Sequence, residues 1–398
     1  MSAVPIAAFP VKRLSHAQAL WLKGSILITF LAASSAPSPL YAIYREAWGF
    51  SALTLTLVFS SYAFALLAAL LVFGALSDHR GRRDVLLAAL GLELVAVLVF
   101  RGAESVHWLL AARVVQGVAT GIASSALSAG LLDLHRERGA VVNSVAPMVG
   151  LGVGALGASL LAQFAPAPTQ LVFELLLVAF ALQVAAALYL PETVERRAGA
   201  WRSLRPSLAI PLKARTTMWQ VLPVNTAQWA LGGLYFSLGP TLARLVTHNH
   251  SPLMGGALIG LLSFGSAAAI LMVRNRPARW ALAVGAAALA IGVGVTVAGV
   301  QFESAAAFFV GSLIAGLGFG AGLNAAVRSL VPLAAPHERA GLMSSYFVLS
   351  YLAFSVPAIV AGLFTGQYGL RTTALGYGLV VMAMAVAALV MMAKRDNA

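Results

Sequence analysis

Twelve stretches, each of about twenty or more mostly apolar residues, follow one another along the chain. They lie near 20–44, 51–77, 84–101, 107–132, 139–164, 169–190, 217–243, 253–273, 279–300, 304–330, 339–366 and 370–393. A helix of about 20 residues crosses the hydrocarbon core of a bilayer, and only helices or closed barrels pair every backbone N–H and C=O there. The pattern therefore predicts an all-α membrane protein of twelve transmembrane helices. Of 398 residues only 10% are charged and 60% are hydrophobic, whereas a soluble domain carries about 25% charged residues. That balance argues against a water-soluble enzyme. The longest polar segment, Pro191 to Thr217, divides the spans six and six. The expected units are two pseudo-symmetric six-helix bundles, residues 1–190 and 217–398, joined by a linker over 191–216.

The 26 Lys and Arg against 13 Asp and Glu leave a net charge of +13, which in a polar chain would suggest nucleic acid. Membrane topology accounts for it without that partner. With the N-terminus inside, 21 of the 26 fall on the inner face: Lys12, Arg13 and Lys23; Arg80, Arg82 and Arg83; Arg136 and Arg138; six in the linker; Arg274, Arg276 and Arg279; Arg328 and Arg339; Lys394 and Arg395. Only Arg45, Arg101, Arg244 and Arg371 fall outside, and Arg113 lies within a span. Basic loops stay cytoplasmic, so both termini are expected on the cytoplasmic side, with the basic residues on anionic headgroups. The small residues Ala32 to Ala36 could mimic a signal-peptide cleavage site, but Pro37 stands where cleavage would fall and apolar character resumes through Leu40, Tyr41 and Ile43. No cysteine is present and the seven His lack metal-ligand spacing, which argues against thiolate chemistry, disulfides and zinc. No G-x-x-x-x-G-K-[ST] pattern occurs, so ATP-driven pumping is disfavoured.

A weak internal repeat supports the division. Glu137-Arg138 recurs as Glu338-Arg339, an offset of 201, and at that offset Gly117 and Gly121 fall on Gly318 and Gly322. Paired six-span repeats with a substrate cavity at mid-membrane are the architecture of many secondary transporters.

The sharpest motif is Gly74-Ala75-Leu76-Ser77-Asp78-His79-Arg80-Gly81-Arg82-Arg83, in the turn between spans two and three. Here the sequence resembles the major facilitator superfamily, whose signature G-x-L-a-D-r-x-G-r-k is matched by Gly74, Leu76, Asp78, Gly81, Arg82 and Arg83. Physically, Gly74 is expected to permit close helix approach, Gly81 a tight turn, and Asp78 a carboxylate for helix N–H groups or an Arg. The resemblance implies a conformational latch favouring the outward-open state, with Asp133 as a partner for Arg82. The alternative is that these arginines only set topology. In span four, Arg113-Val114-Val115-Gln116-Gly117 is similar to the family's R-x-x-q-G. An Arg at that depth is costly unless it faces the bundle interior, though snorkelling to the headgroups is the competing outcome. In span five, Gly150 and Gly154 fit part of the family's antiporter signature g-x-x-x-G-P-x-x-G-G, while Ala155 replaces its Pro. Helix packing alone would also place small residues there. The second-half copy of the latch, Arg274-Asn275-Arg276-Pro277-Ala278-Arg279, keeps basic charge but lacks the Asp and Gly.

Proton coupling needs a carboxyl at membrane depth whose protonation responds to changing access. Glu93, about 13 Å into span three, is the leading candidate, with Arg113 as a possible partner and a static ion pair as the alternative. Glu174, near the outer end of span six, is a weaker one. Span one has no acid between Gly24 and Tyr44, although many drug exporters of the family carry one there. The resemblance further implies a cavity lined by spans one, four, seven and ten, where Tyr41, Gln116, Asn225, Gln228, Trp229, Tyr235 and Asn324 are the polar and aromatic candidates; each equally suits helix packing. It implies a monomer that uses a proton gradient, without a cofactor, its partners being a small-molecule substrate and membrane lipids. The expected function is proton-coupled export of a neutral, amphipathic or cationic organic molecule. Proton-linked uptake of a sugar or organic acid is the alternative, and a non-transporting membrane sensor is the alternative from another class.

Overall fold

The computed structural model describes residues 13–335 and 337–396; Lys12 lies outside them, as do the side chains of Lys394 and Arg395. Every long element is an α-helix: α1 (His16–Ser35), α2 (Pro37–Trp48), α3 (Ala52–Phe73), α4 (Leu76–Arg80), α5 (Arg82–Arg101), α6 (Val106–Leu134), α7 (Arg136–Phe164), α8 (Leu171–Ala187), α9 (Leu212–Ser237), α10 (Gly239–Thr247), α11 (Pro252–Val273), α12 (Ala278–Gln301), α13 (Ala305–Leu330), α14 (Arg339–Tyr368) and α15 (Leu370–Asp396). With α1–α2 and α9–α10 each forming one broken span, and α4 a single turn in a loop, the chain makes twelve passes.

Nine of the described helices are long and apolar enough to cross a membrane by themselves. The other three passes depart for visible reasons. α5 carries Arg82, Arg83, Asp84, Glu93 and Arg101, α8 has only 17 residues, and α9 holds Lys213, Arg215, Asn225 and Gln228. Their charged and amide groups are tolerable because the bundle, rather than lipid, receives the buried ones.

Local sequence sets the breaks and starts. Ser15 opens α1 with a reciprocal capping box to Gln18, which satisfies two N-terminal N–H groups. Pro37 and Pro39 interrupt the first span, and Pro240 follows the break after Leu238 in the seventh. Proline removes a helical donor and clashes with the preceding turn. Pro39 and Pro240 are themselves 201 residues apart, so the repeat offset extends to the position of the kink.

Within the first half α6 packs against α3 and α5, α1 against α7 and α6, and α5 against α8; within the second, α13 packs against α12 and α11, α12 and α9 against α15, and α14 against α9. The halves meet where α7 lies on α11 and α3 on α14. The segment between α8 and α9, with a 3₁₀ turn at Arg202–Leu204, lies at what is called here the linker end. It is tied to both halves: Arg197 N donates to His79 O at 3.0 Å, and Ala209 N to Gly341 O at 3.3 Å.

Candidate functional site

The halves are sealed at the distal end. Arg244 of α10 pairs with Glu46 of α2 at 2.7 Å, and the Ser251 hydroxyl at the start of α11 bonds Gln163 of α7 at 2.7 Å. Below them, Thr56 abuts Gly362, the Ser60 hydroxyl donates to Ser355 O at 3.4 Å, and Phe59 packs on Phe354. Toward the linker end the helices part. A cleft of about 770 Å³ opens there between the ends of α7 and α11, its walls including Val141, Val145, Ile270, Arg274, Asn324 and Arg328. Met148, Ile270 and Phe319 close its inner end as one apolar cluster.

On the first-half side, four spans bring a charged network into the interior. Glu93 of α5 is fully buried and its Oε1 accepts from Gln116 Nε2 at 3.0 Å. Gln116 Oε1 in turn accepts from Arg113 Nη1 at 2.9 Å. Arg113 also donates to the Ser34 carbonyl at 2.7 Å and, through Nε, to the Tyr41 hydroxyl at 2.5 Å. Its guanidinium lies 5.3 to 5.7 Å from the ring centres of Tyr62, Tyr41 and Phe100. Arg113 is 1% exposed, so the snorkelling alternative fails: aromatic faces and the α1 carbonyl hold it inside, where cation–π attraction is strengthened by burial. Glu93 and Arg113 do not touch; Gln116 stands between them. Glu93 Oε2 and Arg113 Nη2 have no hydrogen-bond partner among the described residues.

On the second-half side the buried groups are neutral. Asn225 Nδ2 donates to Ser350 Oγ at 2.9 Å, and Gln228 Nε2 to Asn225 Oδ1 at 3.4 Å. Gln228 Oε1 faces the bare backbone of Gly322. Trp229 lies in an aromatic cage with Tyr351 at 5.0 Å, Phe354 at 5.6 Å and Phe319 at 6.5 Å. The cage continues across the interface, since Tyr62 clusters with Tyr351 and Phe354. Asn324 lines the cleft instead. Tyr235 does not line the space between the halves: its hydroxyl reaches Ser312 at 3.0 Å and Thr296 at 3.4 Å, inside the second bundle.

The loop between α3 and α5 forms a compact ionic knot. Arg82 pairs with Asp78, donates to Ser77 Oγ at 2.6 Å, and reaches Asp133 at 3.2 Å. Gly81 has φ +102°, a conformation that favours glycine, and a side chain there would also meet the Glu192 carboxylate. That carboxylate accepts from the Arg82 and Arg83 amides at 2.8 and 3.1 Å, capping α5 where the helix dipole favours an anion. Gly74 does not mediate close helix approach. A Cβ there would meet the Leu70 carbonyl of its own helix, so its lack of a side chain lets the last turn of α3 tighten. Gly150 and Gly154 do mediate one, lying on the α1 backbone at Ile28 and Ala32. Glu174 is half exposed at the distal end, where it pairs with Arg101 at 2.9 Å rather than with a member of the buried network.

Two residues escaped sequence reasoning. Glu192 caps a helix that starts 110 residues earlier, and no spacing rule reaches that far. Lys23, counted above only for topology, is 1% exposed, with its ammonium against Gly130 of α6 and Asp133 and Glu192 in its electrostatic surroundings. The bare Gly130 surface was its only trace in the sequence.

Two six-helix bundles, sealed at one end and parted at the other around a buried polar interior, define a membrane transporter rather than an enzyme. The chain belongs to the Major Facilitator Superfamily, whose sequence profile matches residues 24–356. No individually curated protein matches it. Among solved structures, a bacterial homologue of the human lysosomal transporter Spinster, inward-facing and occupied, aligns with a TM-score of 0.77 at 15% identity, covering 98% of both chains. The nucleoside transporter NupG aligns at 0.73 with 12% identity, covering 95% of this chain and 100% of its own. The human organic anion transporter MFSD10 aligns at 0.68 with 19% identity, covering 94% and 100%. At these identities the likeness concerns the fold.

Proposed function

We propose that the protein is a proton-coupled secondary transporter that exports a small organic molecule by alternating access. The carrying observation is Glu93: a fully buried carboxyl with one oxygen held by Gln116 and the other without a partner among the described residues. A carboxyl so placed can gain or lose a proton only when access changes, and Gln116 transmits that change to Arg113 and through it to α1 and α2. The Gly150–Gly154 stripe on α1, similar to part of the antiporter signature, supports the export direction. With the linker end cytoplasmic, as the basic residues favour, the sealed distal end and open cleft correspond to an inward-facing state. The setting is a bacterial inner membrane with both termini inside, and the working unit is a monomer. In this scheme the Asp78–Arg82–Asp133 knot is the latch in its inward-facing arrangement, Asp78 held within its own loop.

Purified protein in vesicles containing a pH dye, screened with neutral and cationic compounds under an imposed pH gradient, tests the scheme. The expected result is compound-dependent proton movement opposite to the compound, retained in Glu174→Gln and lost in Glu93→Gln. Proton and compound moving together would replace export with uptake, and complete silence would favour a sensor.

A further inference from the structure

The second-half face of the interior is built from parts whose chemistry specifies a cargo. Three polar atoms gather around one aromatic cage and have no hydrogen-bond partner among the described residues: Gln228 Oε1, Trp229 Nε1 and the Tyr346 hydroxyl. Gln228 is fully buried and Tyr346 is 1% exposed. Tyr346 lies beside Trp229 and Ser350 without closing a hydrogen bond to the indole. A buried polar group left unmatched costs about 1–3 kcal/mol, so three on neighbouring positions of α9 and α14 are a costly arrangement.

Their placement is ordered. One turn from Gln228 along α9, Gly232 abuts Phe354 and Phe319, and one turn from Phe319 along α13, Gly322 faces Gln228 Oε1. The free carbonyl therefore sits one turn from the rings, with no side chain on α13 in its way. The aromatic faces of Trp229, Tyr351, Phe354 and Phe319 suit a planar apolar body, while a free carbonyl, an indole N–H and a phenol read an edge that has both donors and acceptors.

Charge excludes the alternatives. α9, α13 and α14 carry no acid within this region. The fixed charge across the interface is Arg113, stacked on Tyr62, which itself clusters with Tyr351 and Phe354. A cation would approach that guanidinium, while Glu93, the deep carboxylate among the described residues, lies on α5 rather than on the helices of the cage and holds Gln116 with one oxygen. Arg113, the group an anion would seek, is held by Tyr41 and Ser34 on the first-half side, across the interface from Gln228 and Trp229.

We propose that the cargo is uncharged and planar, an aromatic or heteroaromatic ring caged by Trp229, Tyr351, Phe354 and Phe319. Its N–H or O–H donors meet Gln228, and its acceptor meets Trp229 and Tyr346. This rests on the transporter reading and narrows it from neutral, amphipathic or cationic molecules to one class.

Equilibrium binding to the purified, detergent-solubilised protein tests it without a gradient or a working Glu93, so failure of proton coupling and failure of this assignment are separable. The probes are theophylline and nicotinamide (neutral, with polar edges), naphthalene (planar, no polar edge), ethidium (planar cation) and naphthalene sulfonate (planar anion). The neutral heterocycles should bind at least about tenfold more tightly than the other three, a gap of the size one or two matched hydrogen bonds produce. Gln228→Leu should erase that gap, and Trp229→Phe, which keeps a ring but removes the N–H, should weaken theophylline by about tenfold and leave naphthalene unchanged. Unliganded melting temperatures close to wild type confirm that both variants fold. Ethidium or naphthalene sulfonate binding as tightly as the heterocycles overturns the proposal. So does silence of both heterocycles, or unchanged affinity in both folded variants.

Discussion

The two halves share one scaffold and differ in what they bury. At the repeat offset of 201, Glu93, Arg113 and Gln116 fall on Gly294, Ile314 and Leu317, while Asn225 and Gln228 fall on Gly24 and Leu27. The loop diverges in the same sense, since Asp78, Arg82 and Asp133 correspond to Arg279, Ala283 and Ala334. The kink at Pro39 and Pro240 and the paired glycines of α6 and α13 persist. Backbone features that shape the bundle have thus been kept in both copies, and buried charged side chains, among the described residues, only in the first. The comparison teaches a division of labour: the proposed coupling chemistry resides in one half and the proposed recognition chemistry in the other.

Removing the interior charge should break that asymmetry most. Glu93→Gln keeps the Gln116 contact but deletes the titrating group, so proton movement in vesicles should fall by about 100-fold or more, the scale on which proton-transfer groups act. Exchange of labelled cargo at equal pH should remain within a few-fold of wild type, because that reaction moves no net proton. If both activities fall together, Glu93 is structural and the division of labour fails.

The next largest effect concerns packing. Gly154 lies on the Ala32 carbonyl and Ser35 hydroxyl of α1, whereas its repeat mate, Ser355, already accommodates a side chain whose hydroxyl has no partner among the described residues. Gly154→Leu should therefore destabilise by about 1–3 kcal/mol through overpacking, read as a lower melting temperature. Ser355→Ala should change stability by about 0.5 kcal/mol or less. Equal losses at both positions would show that the two helix contacts are equally tight.

The twelve spans, the six-and-six division and the transporter class were legible because bilayer thickness imposes a length on each helix and the repeat duplicates the motif. The turn at Gly81 and the close packing at Gly150 and Gly154 were legible as local motifs. Long-range polar pairing was not. Gln116 reads as one more amide on span four, and only the packing of α5 on α6 makes it the bridge between Glu93 and Arg113. Tyr235 has the composition of a cavity residue, yet the rotation of α9 turns it toward Ser312. Glu192 and Lys23 depend on contacts between segments more than a hundred residues apart, where periodicity carries no signal. Gly74 misled because its neighbour in space is its own helix.

A smaller effect is expected from the latch. The chain has no cysteine, so a Gln163→Cys, Ser251→Cys pair reports the sealed distal end by cross-linking without background. If Asp78 favours the outward-open state, Asp78→Asn should raise the sealed fraction, and with it the cross-linking rate, about two- to fivefold, a bias of about 0.5–1 kcal/mol. Arg274→Gln, in the second-half loop without that acid, should leave the rate unchanged. A response at Arg274 as large as at Asp78 would make the two loops equivalent and remove one leg of the comparison.

The smallest effect should come from an ion pair that joins the halves directly, Arg244 to Glu46. Arg244 is largely enclosed, but the Glu46 side chain is 65% exposed, so the pair should contribute about 0.2–1 kcal/mol to distal closure. Arg244→Gln should slow cross-linking of the Gln163→Cys, Ser251→Cys pair by less than about fivefold at low salt. Raising salt to about 0.5 M shortens the screening length to roughly 4 Å, and the difference from the unmodified pair should then disappear. Thr56 on Gly362 and Phe59 on Phe354 would hold the seal in the variant, since neither contact involves charge. A defect that survives high salt would mean that Arg244 acts through its packed stem in α10. Closure would then be governed by apolar contact between the halves and owe nothing to their opposite charges.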